Sequence, residues 1–294
     1  MKKTKKLESR SYSERILFLI VFIVFVIYSI SLLYPVFWLI VNSLKHWVDY
    51  SLDMSIGNPF AMPKSLQWSN YKDAFQSINA NGVNFVGMLW NSVWITFAST
   101  MLGLLVTALF AYCLSKFPCK ASTILYAFVI FEMTIHVGGS AGATMKFYVD
   151  TGIYDTPLLI VLQSMGGRGM HCLMFYGAFK NLPNDYAEAV YMDGGGEFTV
   201  YWKIMFPFVR PIFISLFIIN AMTCWNEYLS IVLFMPSWLN LAAGMYLVRS
   251  PLIREGKSPV YFAATVFSIL PMFMVYVSFN DMIMKNMTVG GLKG

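Results

Sequence analysis

Residues 16–41 read ILFLIVFIVFVIYSISLLYPVFWLIV, an apolar run relieved only by a few Ser and Tyr and one Pro. A helix that crosses a bilayer needs about 20 consecutive, mostly apolar residues, so this run is predicted to be a membrane span. It follows a basic head that carries Lys2, Lys3, Lys5, Lys6, Arg10 and Arg15. A signal peptide has an apolar region of only about 7–15 residues, followed by a small-residue cleavage site. Neither feature is present, so the run is expected to stay attached as a spanning helix, bent at Pro35.

The composition extends that reading to the whole chain. Of 294 residues, 57% are apolar, 17% aromatic and 12% charged, and the mean hydropathy is +0.60. A soluble domain carries about 25% charged residues. The length leaves room for about five to seven spans of about 20 residues with their loops. The net charge of +6 does not point to nucleic acid, because the bases stand at the ends of apolar runs. Cys113, Cys119, Cys172 and Cys224 form no C-x-x-C pair, and three lie in or beside apolar runs. They read as small buried hydrophobes rather than metal ligands or a disulfide framework. His46, His136 and His171 stand apart with no metal-binding spacing, and no metal site is expected.

Further along the chain, residues 42–90 are too polar to span and are expected to form an outer loop. Trp47, Trp68 and Trp90 there suit an aromatic belt. Spans are expected at 91–115, 121–141, 157–179, 207–229 and 258–284, the last containing Pro271. The predicted fold is all-α and integral to a membrane, with six transmembrane helices. It divides into a head at 1–15, a first span at 16–41, the outer loop at 42–90, a core at 91–284 and a tail at 285–294. A polar loop at 181–207 interrupts the core. Both termini are expected in the cytoplasm of a bacterial cell. Lys116, Lys120, Lys180, Lys203, Arg210, Lys285 and Lys293 then join the basic head inside, and fewer bases lie outside (Lys45, Lys64, Lys72, Lys146, Arg249, Arg254, Lys257).

Glu132, His136 and Arg168 fall inside apolar runs, where charge is costly and usually functional. They are candidates to line a pathway or to pair with one another; otherwise they mark span ends near the interface. The Gly166–Gly169 stretch reads either as an unwound segment lining a cavity or as a place of close helix packing.

The polar loop contains Pro183-Asn-Asp-Tyr-Ala-Glu188-Ala189-Val190-Tyr-Met-Asp193-Gly194, nine further residues, and then Ile204-Met-Phe-Pro207. Read physically, this is a short helix, a glycine break and a second short helix leading into a span. Pro183 suits a first turn, and Asn184 and Asp185 suit the positive end of the dipole. Gly194, Gly195 and Gly196 permit a sharp turn. Helical spacing puts Phe198, Tyr201 or Trp202, and Met205 on one face. Asp185 and Glu188 are also spaced as a capping pair, N-cap and N3, in which case Glu188 serves its own helix. Two such short helices gain little stability alone, so they should pack against something.

This stretch closely resembles the EAA loop of ABC importer permeases: E-A-A, three residues, Gly, nine residues, Ile, one residue, Leu-Pro. Glu188, Ala189, Gly194, Ile204 and Pro207 match with the spacing intact, and Val190 and Phe206 depart by apolar exchange. Trp225-Asn226-Glu227-Tyr228 looks like the W-N-E-[FY] stretch of the maltose-type sugar permeases. Asn91-Ser92, Ala111-Tyr112 and the terminal Gly290 to Gly294 fit the same subfamily.

The resemblance implies an importer-permease core whose loop is a coupling helix seated on an ATPase subunit. Tyr186 and Tyr191 would be its anchors and Glu188 its charge; Ala189 and Gly194 would permit close approach, and Asp193 belongs to the same contact. Trp225, Asn226, Glu227 and Tyr228 would belong to the pathway with Glu132, His136 and Arg168, although Trp225 and Tyr228 also read as belt aromatics. The implied partners are a second permease, two ATPase subunits, an extracytoplasmic solute-binding protein and membrane lipid. No cofactor is expected on this chain, which lacks a G-x-x-x-x-G-K-[ST] loop; its partners would use the ATP. A sugar is the implied solute, with a polyol, glycerol-phosphate or sugar-linked compound as alternatives. A secondary transporter would more naturally show inverted repeats and intramembrane acids, and an enzyme would show convergent catalytic groups.

Overall fold

The computed structural model describes residues 12–135, 141–165 and 169–287. Its helices are α1 (Tyr12–Ser43), α2 (Trp47–Ser55), α3 (Ser69–Ser77), α4 (Phe85–Lys116), α5 (Lys120–Thr134), α6 (Ala141–Asp150) and α7 (Leu158–Met165). They continue as α8 (Gly169–Lys180), α9 (Asp185–Met192), α10 (Glu197–Thr199), α11 (Phe206–Asn226), α12 (Leu229–Phe234), α13 (Leu241–Arg254) and α14 (Ser258–Met287). A π-helical turn, Val200–Met205, joins α10 to α11. Helices α1 and α14 continue through Pro35 and Pro271.

Among the described residues, four helical stretches are long and apolar enough to cross a membrane: Ile16–Ser43, Phe85–Lys116, Glu197–Asn226 and Ser258–Asn280. Helices α7 and α8, inclined to one another by 58°, make a fifth if they are one broken span. Six were expected. The difference lies at 121–141, where α5 has 15 residues and stops before Ile135, whose backbone is extended (φ −109°, ψ 103°). That is short of the roughly 20 residues a span requires.

The chain divides into two compact units, Met1–Lys72 with Leu252–Val266, and Asp73–Pro251 with Phe267–Gly294. In the first, the apolar side chains of α1 stand exposed from Ile16 to Ile40, as a lipid-facing helix requires. The segment after it is built rather than loose. Lys45, with no side-chain exposure, donates to Asp53 Oδ2 at 2.7 Å. Asn70 Nδ2 ties Ser43 O (2.8 Å) to Lys45 O (2.9 Å), Ser43 Oγ meets Tyr71 Oη at 2.8 Å, and Trp38 stacks edge-on against Phe262. Trp47 and Trp68 remain exposed.

In the second unit, a hairpin of β1 (Asn79–Ala80) and β2 (Val83–Asn84) turns on Asn81 and Gly82. Both have positive φ, the backbone that an Asn-Gly turn adopts to match strand twist. Asn84 then caps α4 by accepting from Gly87 N at 2.7 Å. The core lies where α4, α8, the π turn and α11 meet. Leu104, Ala108, Ala111 and Tyr112 pack with Phe175, Phe179, Tyr201, Met205 and Phe213. Gly103, Ala108 and Ala111 are small buried residues of α4.

Candidate functional site

Helix α9 begins one residue earlier than a capping pair would need. Its N-cap is Asn184, whose side chain makes no capping bond. Instead Asn184 Oδ1 accepts from Lys116 Nζ at 2.9 Å, and the amides of Ala187 and Glu188 are taken by Asn184 O. Asp185 is therefore the first helical residue and Glu188 the fourth. Both acids still lie near the positive end of the dipole, but the reading in which Glu188 caps its own helix is not realised. Its carboxylate is exposed.

The helix closes in a Schellman motif. Gly194 N donates to Tyr191 O at 3.0 Å and Gly195 N to Val190 O at 2.8 Å, with Gly194 at φ +77°. That left-handed backbone is costly for any residue with a Cβ. Gly195 is required for a different reason: a Cβ there would lie 2.5 Å from Val190 Cγ1 and 3.1 Å from Val190 O.

Two faces result. Ala187 and Val190 pack on the core. Tyr186, Glu188, Ala189, Tyr191, Met192 and Asp193 face outward, with Met192 88% exposed. Past the turn, the expected single face of Phe198, Tyr201 or Trp202, and Met205 does not form. The π turn over-widens the spacing, so Tyr201 and Met205 are buried while Phe198, 77% exposed, pairs with Trp202 outside.

A cleft of about 220 Å³ lies under α9, lined among others by Tyr112, Lys116, Asn184, Glu188, Tyr191 and Glu197. Sequence reasoning missed Glu197. Its Oε1 accepts from Tyr191 Oη at 2.5 Å and its Oε2 from Tyr112 Oη at 3.4 Å. The bond to this carboxylate pushes the Tyr191 phenol up to about 12. The available signal was an acid directly after the glycine run.

The pathway candidates scatter. His136 and Arg168 lie outside the described residues, as does most of the Gly166–Gly169 stretch. Glu132 is exposed on α5. The W-N-E-Y stretch is where α11 breaks. Trp225 is buried and donates from Nε1 to Ser268 O at 3.2 Å, Asn226 Nδ2 turns back to Met222 O, and Tyr228 stacks on Tyr246 at 4.8 Å. Glu227, in extended backbone, accepts from Ser230 N and Oγ through Oε1 at 2.9 and 3.0 Å.

Of the five candidates among the described residues, only Glu227 lines a groove of about 280 Å³ between α4, α7, α11 and α12. Its other polar lining was not foreseen: Ser99, Gln163, Ser164, Asn220, Thr223 and Ser230. Asn220, Thr223 and Cys224 lie at helical spacing on α11, with Glu227 just past its end, a pattern that the sequence did display. Among the described residues, no group of three His, Cys, Asp or Glu could hold a metal.

Comparison with known proteins agrees over nearly the full length. Residues 7–289 match the family described as "Binding-protein-dependent transport system inner membrane component". The diacetylchitobiose uptake system permease protein NgcG of Streptomyces coelicolor is 25% identical over 273 residues, 90% of this chain and 85% of that one. The arabinooligosaccharides transport system permease protein AraQ of Bacillus subtilis is 25% identical over 275 residues, 92% and 94% of the two chains. A chain in the crystal structure of a bacterial ABC transporter involved in the import of the acidic polysaccharide alginate superposes with a TM-score of 0.75. At 20% identity, covering 93% of this chain and 98% of that chain, this likeness speaks to the fold.

Proposed function

Since the chain belongs to the binding-protein-dependent transport system inner membrane components, we propose that it is the permease subunit of an ATP-driven importer for a sugar or oligosaccharide. It forms half of a pathway together with a second permease, and a solute-binding protein delivers the solute. It spans the membrane six times, with the whole 121–141 run, of which α5 is only a part, and the α7–α8 pair completing the count and both termini in the cytoplasm. It carries no cofactor and hydrolyses nothing; its ATPase partners supply the energy.

The observation that carries the reading is the outer face of α9. A helix closed by Gly194 presents an acid that its own chain leaves exposed, Glu188, beside Tyr186, Ala189 and Met192. Apolar anchors beside exposed acids, Glu188 with Asp193, suit a cleft on a protein partner. Closure of two ATPases against such helices would rock the attached spans between inward- and outward-facing states. The sugar reading is supported by the relatives, which are named for oligosaccharides. The hydroxyl, amide and carboxylate lining of the groove at Asn220, Thr223 and Glu227 suits a solute rich in hydroxyl groups.

The test is to express the tagged chain with its whole system and follow two readouts. One is co-purification of an ATPase; the other is uptake of diacetylchitobiose and arabino-oligosaccharides. Glu188→Ala and Gly194→Val should insert normally, lose the ATPase and abolish uptake. Normal uptake in both variants would remove α9 from the coupling role. Uptake by the purified chain alone, without ATP, would make it a secondary carrier.

A further inference from the structure

The last turn of α4 carries Tyr112 and Lys116 four residues apart, hence on one face, and each reaches a different end of α9. Lys116 Nζ holds the N-terminal end, donating to Leu182 O at 2.6 Å and Asn184 Oδ1 at 2.9 Å. At the C-terminal end the connection runs through Glu197, which accepts from Tyr191 Oη with one oxygen and from Tyr112 Oη with the other. Tyr112 is a firm anchor: it is buried, with its ring 5.5 Å from Phe179 and 5.0 Å from Tyr201.

Along the backbone, α9 reaches α10 and α11 only through Asp193 and the three glycines Gly194, Gly195 and Gly196. Three glycines make a poor lever, because glycine has the most backbone freedom of any residue. Glu197 lies beyond that turn and bonds both Tyr191, before it, and Tyr112, on α4, so the connection bypasses the turn. Hydrogen bonds to an ionised acceptor are roughly twice as strong as neutral ones.

We propose that Glu197 is a positioning residue of energy coupling: by clamping Tyr191 to Tyr112 it fastens the far end of α9 to α4, as Lys116 fastens the near end, so that a displacement imposed on α9 reaches the spans instead of being absorbed by the glycine turn. This rests on the reading of α9 as the ATPase contact.

The experiment uses the whole complex in proteoliposomes. The native cysteines of this chain are replaced and one cysteine is introduced at Thr223, in the groove. ATP hydrolysis and the ATP-induced change in labelling by a water-soluble maleimide are measured together, for the parent, Glu197→Ala, Glu197→Gln and Glu188→Ala. Glu197→Ala should keep its ATPase partner and its hydrolysis, while the ATP-induced labelling change falls about tenfold or more, the scale of losing a hydrogen bond to a charged group. Glu197→Gln, which still reaches both tyrosines, should keep most of the change. Should Glu197→Ala fail to insert, Tyr112→Phe with Tyr191→Phe keeps both rings packed and should show the same loss.

An undiminished labelling change in Glu197→Ala, with Glu188→Ala inactive, overturns the clamp alone. Loss of the ATPase partner from Glu197→Ala also overturns it, by making Glu197 part of the docking surface. An unchanged response in Glu188→Ala as well means that the coupling reading of α9 fails, and the clamp with it.

Discussion

Helices α2 and α9, of nine and eight residues, end in the same way and treat their acids oppositely. Both close in a Schellman motif on a left-handed glycine. In α2, Gly57 N donates to Met54 O and Asn58 N to Asp53 O, with Gly57 at φ +72°; α9 repeats the pattern at Gly194 and Gly195. Asp53 is buried against Lys45 at 2.7 Å, with 12% of its own side chain and none of the lysine's exposed. Glu188 stands in the open. A charge satisfied within its own chain is architecture, whereas one left exposed on an apolar face beside a tight turn is an offer to a partner. Local helix grammar is therefore no guide to function; what distinguishes the two helices is where the charge goes.

The largest effect expected from this contrast is on stability. Lys45→Met leaves Asp53 buried without its cation, which should cost about 3–5 kcal/mol, read as a fall in the unfolding midpoint of the purified chain in detergent. Lys45→Met with Asp53→Leu should recover most of that loss, because two apolar groups need no partner. A single variant as stable as the parent would show that the pair is not sealed, and the contrast with Glu188 would collapse.

Much of this was legible in the residues. Four of the six expected apolar runs, those at 16–41, 91–115, 207–229 and 258–284, fall on the long helices. The glycine after Asp193 stands at the left-handed position that closes α9, and Asn220, Thr223 and Cys224 follow helical spacing on α11. The rest escaped for physical reasons. Lys45 was counted as an ordinary base of an outer loop, because its pairing spans eight residues and a helix break, which no periodicity announces. The start of α9 slipped by one residue because Lys116, 68 positions away, claims the Asn184 side chain. The π turn, which separates Phe198 and Trp202 from Tyr201 and Met205, has no signature in the side chains that form it. The short α5 shows that an apolar run measures what a membrane tolerates, not where a helix stops.

A smaller effect, of equal size in the two helices, tests the shared grammar. A Cβ at Gly57 or at Gly194 meets nothing within 4 Å, so alanine at either site carries only the backbone cost of the left-handed conformation, about 1–2 kcal/mol. Gly57→Ala and Gly194→Ala should therefore lose similar stability in the same detergent unfolding measurement. Only Gly194→Ala should also reduce ATP-dependent uptake by the whole system. Equal loss of uptake in both would mean that the turns matter only as structure.

The smallest stability effect should fall on the residue assigned the largest role. Glu188 has no hydrogen bond to lose to its own chain, and at the fourth position of α9 it is at the limit of the dipole's reach, which fades beyond the first turn. Exposed substitutions of that kind usually change stability by less than about 0.5 kcal/mol. Glu188→Gln should therefore unfold with the parent's midpoint while its ATPase partner is lost on purification. If Glu188→Gln instead destabilises the isolated chain as Lys45→Met does, Glu188 is bonded within the fold and the opposition between the two helices is false. A parental midpoint with the partner retained would place the docking contact on the apolar neighbours Tyr186 and Met192. The acid would then be there to set the approach of the partner rather than to hold it.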